Sequence, residues 1–512
     1  MTNQPLALTG APLTLADVES VARTARHVEL APDAIEAIER SNRWLNSALD
    51  RGDPIYGVNT GFGSLANTRI ERDQIAQVQT NLIRSHAAGV GDPLEPSVVR
   101  AMMLLLAASL SRGHSGVRPV VVETIVRALN ASITPLVPAR GSVGASGDLA
   151  PLSHVVLALL GEGEVLTANG SAPSRAALDA AGIPPLTLEA KEGLALINGT
   201  HLMAAQGVHA VLDAERLFDA AIGASAMSID ACRGTDSYLD DRVYDIRNQP
   251  GPRAVAARVW ALLEGSQIIP SHLHDDPRVQ DPYSLRCVAP VLGAVHDCIA
   301  YVRAVIGHEL GAVTDNPLVF DPQDLAHSRT IVSAGNFHGM PLALPVDALA
   351  PAITHIAGIS ERRVYYILAA SDAQNPLHAH LSPQPGLHSG LMITQYTAAA
   401  LVNELITLST PASVSNIPTC AGMEDYNSFG PRSAAKAREA IRLATDAIAI
   451  ELICGAEAME YQRPLRSGPG VERVYELVRS VVPRLTEDRS PTPDIRAIAG
   501  LIRSGEFAFT RD

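Results

Sequence analysis

The residues of this chain able to do chemistry gather in a few short stretches, of which Gly141 to His154, GSVGASGDLAPLSH, is the densest. Gly141, Gly144 and Gly147 fall three residues apart, and only Ala145 and Ser146 separate the last two. Nothing here can fill a core, so the stretch serves through its backbone, where glycine permits close approach and unusual dihedrals. Glycines so spaced can cradle a phosphate, but no lysine follows the last one, and Asp148 puts negative charge where a phosphate would sit. The plain reading is the start of a helix, with Ser146 or Asp148 as N-cap and Pro151 in the first turn. A second stretch, Tyr56-Gly-Val-Asn-Thr-Gly-Phe-Gly63, has no periodicity and predicts a loop. In a third, Val279-Gln280-Asp-Pro-Tyr283-Ser-Leu-Arg286, Asp281 as N-cap and Pro282 at the first helical position would set Tyr283 and Arg286 on one helix face. A tyrosine beside a guanidinium suits acid and base work next to a bound carboxylate, which the guanidinium can grip with two parallel hydrogen bonds.

Other candidates have ordinary structural readings beside the chemical ones. His86 ends a predicted helix over 77–88, where a histidine commonly satisfies a local bond. Asn198 can cap a helix starting near Thr200. The pairs His272/His274 and His378/His380 are of metal-ligand type, but the run Ser271-His272-Leu-His274-Asp275-Asp276 has the flanks of an exposed loop.

Ala145-Ser146-Gly147 inside GASGDLAPLSH resembles the signature of the histidine and phenylalanine ammonia-lyase family. The resemblance implies that the tripeptide cyclises on itself and loses two waters, giving a 4-methylideneimidazol-5-one prosthetic group (MIO) autocatalytically, with no metal. The residue types suit that reaction: the Gly147 nitrogen must reach the Ala145 carbonyl, and Ser146 must shed its hydroxyl to leave an exposed methylidene. Residues 56–63 resemble the family's YGxNTGFG loop, which makes Tyr56 the implied catalytic base, with Tyr283 assisting. By the same resemblance Arg286 holds the substrate carboxylate, and Asn198 and Gln280 orient prosthetic group or substrate. Phe337, in Gly335-Asn336-Phe337-His338-Gly339, packs against the substrate. Ser85-His86 and Glu424 side with the histidine-specific branch, so His86 and Glu424 are implied to receive an imidazole. Departures stand at His201 and Met423, where the family carries glutamine, and across 376–381, where His378-Ala-His380-Leu replaces a Pro-Pro-Phe-Leu segment.

Such a pocket removes ammonia and a neighbouring carbon-bound proton from an amino acid. Amine leaves poorly and that proton is hardly acidic, so an electrophile formed from Ser146 takes up the amine. A tyrosine base needs its phenolate favoured by about 4 kcal/mol. A buried glutamate accepting an imidazole N–H discriminates well, because a substrate lacking that donor leaves the carboxylate unpaired. The expected reaction is therefore histidine to trans-urocanate. The same scaffold can act on phenylalanine or tyrosine or move the amine as a 2,3-aminomutase. Further alternatives are a metal-dependent hydrolase on the histidine pairs and a helical assembly without catalysis.

The elements that position these residues read as helices. Of 512 residues 47% are apolar and only 4% aromatic, with many alanines, which suits closely packed helices more than strands. Periodicity predicts helices over 14–26, 32–49, 93–111, 117–131, 152–164, 207–232, 288–311, 345–368, 390–408 and 433–461, with shorter ones at 471–482 and 494–504. Segment 170–185 reads as a variable surface connection and 236–252 as irregular. The expected architecture is all-α: a long-helix bundle with a smaller mixed N-terminal region, ammonia-lyase-like. The expected division is 1–200 with the loop and tripeptide, 201–465 as the bundle, and 466–512 as packing helices.

Helices so long suggest a subunit that buries them against copies of itself, and the family resemblance implies a homotetramer with shared active sites. A formal charge of −14 argues against nucleic acid or anionic membrane as partner. Five scattered cysteines, no basic-then-apolar leader and no apolar block longer than Ala101 to Ala108 point to a cytoplasmic protein.

Overall fold

The computed structural model describes residues 4–511 apart from 53, 275, 325, 328, 373 and 374. The protein is all-α in class. The longest helices, His201–Ala231, Val288–Glu309, Met340–Ala369 and Gly430–Glu460, lie where apolar periodicity predicts them. Small side chains let such helices approach closely: in Gly430–Glu460, Ala434, Ala437, Ala440, Ala444 and Ala447 recur every three or four residues and all are buried. Val288–Glu309 and Met340–Ala369 are long and apolar enough to cross a membrane by length and composition. Each buries part of its most apolar window within the protein, 39% and 56%, as core helices do.

Residues group into two compact units. The first, 1–209 with 303–347 and 412–435, contains all four small two-stranded sheets seen among the described residues. Its centre is the helix Pro96–Leu110, whose residues from Val98 on are all buried, packed by Leu15–Thr24 and Pro119–Asn130. A helix apolar all round belongs in a core, and its one charge has a task. The buried Arg100 guanidinium donates to the carbonyls of Val21 and Leu129, in the last turns of the two neighbours, where backbone acceptors otherwise go unpaired. Thr14 starts the first of them with a capping box closed by Asp17.

The second unit, 210–302 with 348–411 and 436–512, is helical throughout its regular structure. Segment 236–252, expected to be irregular, holds the helix Asp241–Arg247 and the start of Pro250–Leu263, because Asp240 caps the first and Pro250 opens the second. In the first unit, 170–185 likewise holds a strand, Gly170–Pro173, paired in a hairpin with Glu164–Thr167, and the helix Ser174–Ala180. Polar residues masked the periodicity in both.

Candidate active site

The first unit encloses a cavity of about 970 Å³, and the segments around it come from far apart in the chain. The Tyr56 loop is anchored from within: Ile55 and Val58 sit in a buried cluster with Leu45, Ala48 and Val319, which leaves Tyr56 between them to face the cavity. Asn59 accepts the Ile55 N–H at 2.7 Å and Thr60 accepts the Gly57 N–H at 3.1 Å, so the loop carries its own bonds. The phenol oxygen of Tyr56 accepts the Gly63 N–H at 3.1 Å.

The tripeptide forms the cavity floor. Ala145 is buried, Ser146 half-buried, and both line the cavity. Gly147 has φ +71° and lies against Gly199 so closely that a Cβ would stand 2.1 Å from the Gly199 oxygen, which admits no other residue. The next residue ties the same two strands together, Asp148 N–H donating to the Gly199 carbonyl at 2.7 Å. Asp148 stands at the N-cap position of Leu149–Leu159, but its carboxylate does not cap that helix. It accepts instead from Ser142 Oγ at 2.8 Å and from the N–H groups of Leu202 and Met203, at 2.9 and 3.0 Å, in the first turn of His201–Ala231. Complete burial pushes this carboxyl up to about 7 against the pull of those donors.

Asn198, a candidate cap for the following helix, ends the short helix Glu192–Ile197, and its Nδ2 donates to the Ser146 carbonyl at 2.7 Å. Ser146 Oγ donates to Glu424 Oε1 at 2.8 Å, and Thr419 Oγ1 donates to Glu424 Oε2, also at 2.8 Å. His86 lines the same cavity, its Nδ1 2.9 Å from the Leu82 carbonyl. That carbonyl favours the hydrogen on Nδ1, which Ser85 Oγ also approaches at 3.0 Å, and this tautomer leaves Nε2 a lone pair. Burial pushes the imidazole below its ordinary value, partly offset by the Leu82 carbonyl and the negative Glu424, so the ring is neutral at neutral pH. Phe337 and Met423 also line the cavity. His201 does not. It is buried behind Gly199, neither ring nitrogen has a hydrogen-bond partner among the described residues, and burial pushes it down to about 4.

Of the residues read from the sequence, Tyr56, His86, Ala145, Ser146, Asn198, Phe337 and Glu424 share this cavity, with Gly147 in its floor. Gln280, Tyr283 and Arg286 belong to the second unit and do not line it. There Pro282, not Asp281, holds the N-cap position of the short helix Tyr283–Arg286, since the Asp281 carboxylate accepts the Thr235 N–H at 2.8 Å. Tyr283 and Arg286 do share a face, the guanidinium centre 4.5 Å from the ring centroid. Tyr283 is 70% exposed, and Arg286 Nε is buried without a hydrogen-bond partner among the described residues. The histidine pairs have other company: His272 Nδ1 lies 3.2 Å from Asp276, and His378 Nδ1 lies 3.1 Å from the Ser382 carbonyl. Asp275 lies outside the described residues. Thr419 and Ser142, which orient Glu424 and Asp148, escaped the sequence reading because a hydroxyl's partner across the fold leaves no local pattern, whether it stands alone like Thr419 or inside a motif like Ser142.

The profile of the aromatic amino acid lyases matches residues 13–480. Histidine ammonia-lyase of Deinococcus radiodurans is 47% identical over 495 residues, 97% of this chain and 93% of the relative. Among solved structures, histidine ammonia-lyase of Trypanosoma cruzi superposes with a TM-score of 0.90 at 38% identity, covering 99% of this chain and 95% of that one. Tyrosine aminomutase of Streptomyces globisporus does so with 0.92 at 34%, covering 99% and 98%.

Proposed function

Because the chain belongs to the aromatic amino acid lyase family, we propose that it removes ammonia from L-histidine without oxidation, giving trans-urocanate. The observation that carries this reading is that one cavity brings Ala145 and Ser146 of the tripeptide together with Glu424 and His86. The tripeptide fits an MIO group: the contact with Gly199 tolerates only glycine at 147, Asn198 holds the Ser146 carbonyl, and the serine side chain faces the cavity. Once formed, that group would be held by Asn198 and the contact of Gly147 with Gly199 and would supply an electrophilic methylidene for the substrate amine.

The remaining work falls to the chain's own residues. Tyr56 takes the β-proton, its oxygen already receiving the Gly63 N–H. Glu424 accepts an imidazole N–H of the substrate, with the His86 Nε2 lone pair beside it, and Phe337 packs on the ring. Tyr283, Gln280 and Arg286 serve the cavity of a neighbouring copy in a homotetramer. An exposed tyrosine and a guanidinium with an unpaired Nε are what a segment completed by a substrate carboxylate looks like before assembly. All five cysteines are free, which supports work in the reducing cytoplasm.

Incubating the purified protein separately with L-histidine, L-phenylalanine and L-tyrosine, and following conjugated acrylate in the ultraviolet, tests the reading. Urocanate is the expected product. Cinnamate or coumarate in its absence, or a β-amino acid without free ammonia, would overturn it.

A further inference from the structure

We propose that Glu424 acts before any substrate arrives, carrying the proton that completes dehydration of Ser146 when the tripeptide matures. The inference rests on the MIO reading above and concerns how the group is made.

Its basis is a hydrogen bond whose donor atom the maturation deletes. Ser146 Oγ donates to Glu424 Oε1 at 2.8 Å. A mature floor keeps the serine carbonyl but has no serine hydroxyl, so this contact exists only in the unprocessed chain and brings nothing to substrate binding. The carboxylate is held for it with some care. Thr419 Oγ1 donates to the other oxygen at 2.8 Å, and Thr419 and Glu424 are joined through their backbones, Thr419 N–H to the Glu424 carbonyl at 2.9 Å, in a turn that closes on itself. At the far end of the serine, Asn198 Nδ2 holds the carbonyl at 2.7 Å. Ser146 is thus gripped at hydroxyl and carbonyl, with its Cα between the two and a carboxylate oxygen beside an atom two bonds from that Cα.

The step balances. Ring closure forms the bond from Gly147 N to Ala145 C and expels the alanine oxygen with the amide hydrogens of Ser146 and Gly147 as the first water. In the second loss the Cα–H electron pair of Ser146 becomes the new Cα=Cβ bond, and the Cβ–Oγ bond breaks with its pair on oxygen. The Cα proton passes through the Glu424 carboxylate to Oγ, which leaves as water, and the carboxylate ends as it began. Proton carriage of this kind is worth about 100-fold or more in rate.

The test is intact mass of the full chain, followed over time after synthesis, for the parent, Glu424→Gln, Glu424→Ala and Thr419→Val. The parent is expected lighter than its sequence by two waters. Glu424→Gln and Glu424→Ala should retain the serine oxygen, stopping one or two waters short, and Thr419→Val should reach the parent mass several-fold more slowly. Circular dichroism and oligomer size show that each variant has folded, and Thr419→Val keeps the test open should both Glu424 variants fail to fold. Glu424 variants that lose both waters as fast as the parent, or a Thr419→Val chain indistinguishable from it, overturn the proposal. A parent at its full sequence mass would instead overturn the MIO reading, so the two failures are told apart.

Discussion

Between Gly141 and Asp148 the chain is closed in by its own unit: Gly147 lies on Gly199, the Asp148 carboxylate draws on three donors, and the Ser146 carbonyl and hydroxyl each have a partner. Between Val279 and Arg286 the chain is less closed in, with Tyr283 largely exposed and a buried guanidinium nitrogen unpaired among the described residues. Both stretches match the same family and serve one proposed reaction. The difference fits the proposed division of labour, in which the electrophile would be prepared by backbone geometry inside one chain while the grip on the carboxylate would wait for a second copy.

The largest effect should come from breaking each side in turn and then mixing. Ser146→Ala should lower kcat on histidine by roughly 10,000-fold, about 5.5 kcal/mol. Arg286→Ala should lower kcat/KM by about 100-fold or more, through the lost charged fork. Co-expressed, the two variants should regain turnover far above either alone, because some cavities would combine an intact floor with an intact Arg286 from another copy. Mixed oligomers no better than the single variants would show that one chain supplies both, and the contrast would disappear.

A medium effect concerns what lies behind the floor. The folded-state value of His201 is depressed from its ordinary 6.5 to about 4. The unfolded chain therefore binds a proton in this window that the folded chain refuses, and stability is lost as pH falls from 6.5 to 4, by about 3 kcal/mol. Thermal midpoints of the parent and His201→Gln, compared at pH 7 and pH 4.5, should move against the parent on acidification. A constant gap between them would mean that the imidazole is not held neutral behind Gly199.

The smallest effect is expected on the cavity wall. His86→Leu removes one acceptor while the floor stays intact, so kcat/KM for histidine should fall about tenfold with the tripeptide still processed, the worth of roughly one hydrogen bond. Loss of processing in this variant, read by intact mass, would place His86 with the floor instead of the wall.

How much was legible differs between these parts for physical reasons. Helices announce themselves through spacing, and Pro32–Asp50 or Gly430–Glu460 lie within a few residues of where periodicity puts them. The motif residues Tyr56, Ser146, Asn198 and Glu424 were readable as types, and the cavity joins them across several hundred positions. Thr419 and the second duty of Asp148 were not readable. A hydroxyl that orients a carboxylate, and a carboxylate at the start of one helix that serves another, depend on contacts which local patterning does not encode.

The order of residues alone determined that long helices form and that the backbone around Ser146 carries no bulky side chain. These follow from side-chain size and local dihedral preference, which act over a few neighbours. Tertiary structure alone decided that Glu424 and Asn198 meet that serine from opposite ends, that His201 is buried neutral, and that Arg286 stacks on an exposed Tyr283. Those outcomes depend on distance and dielectric, and only the folded chain sets either.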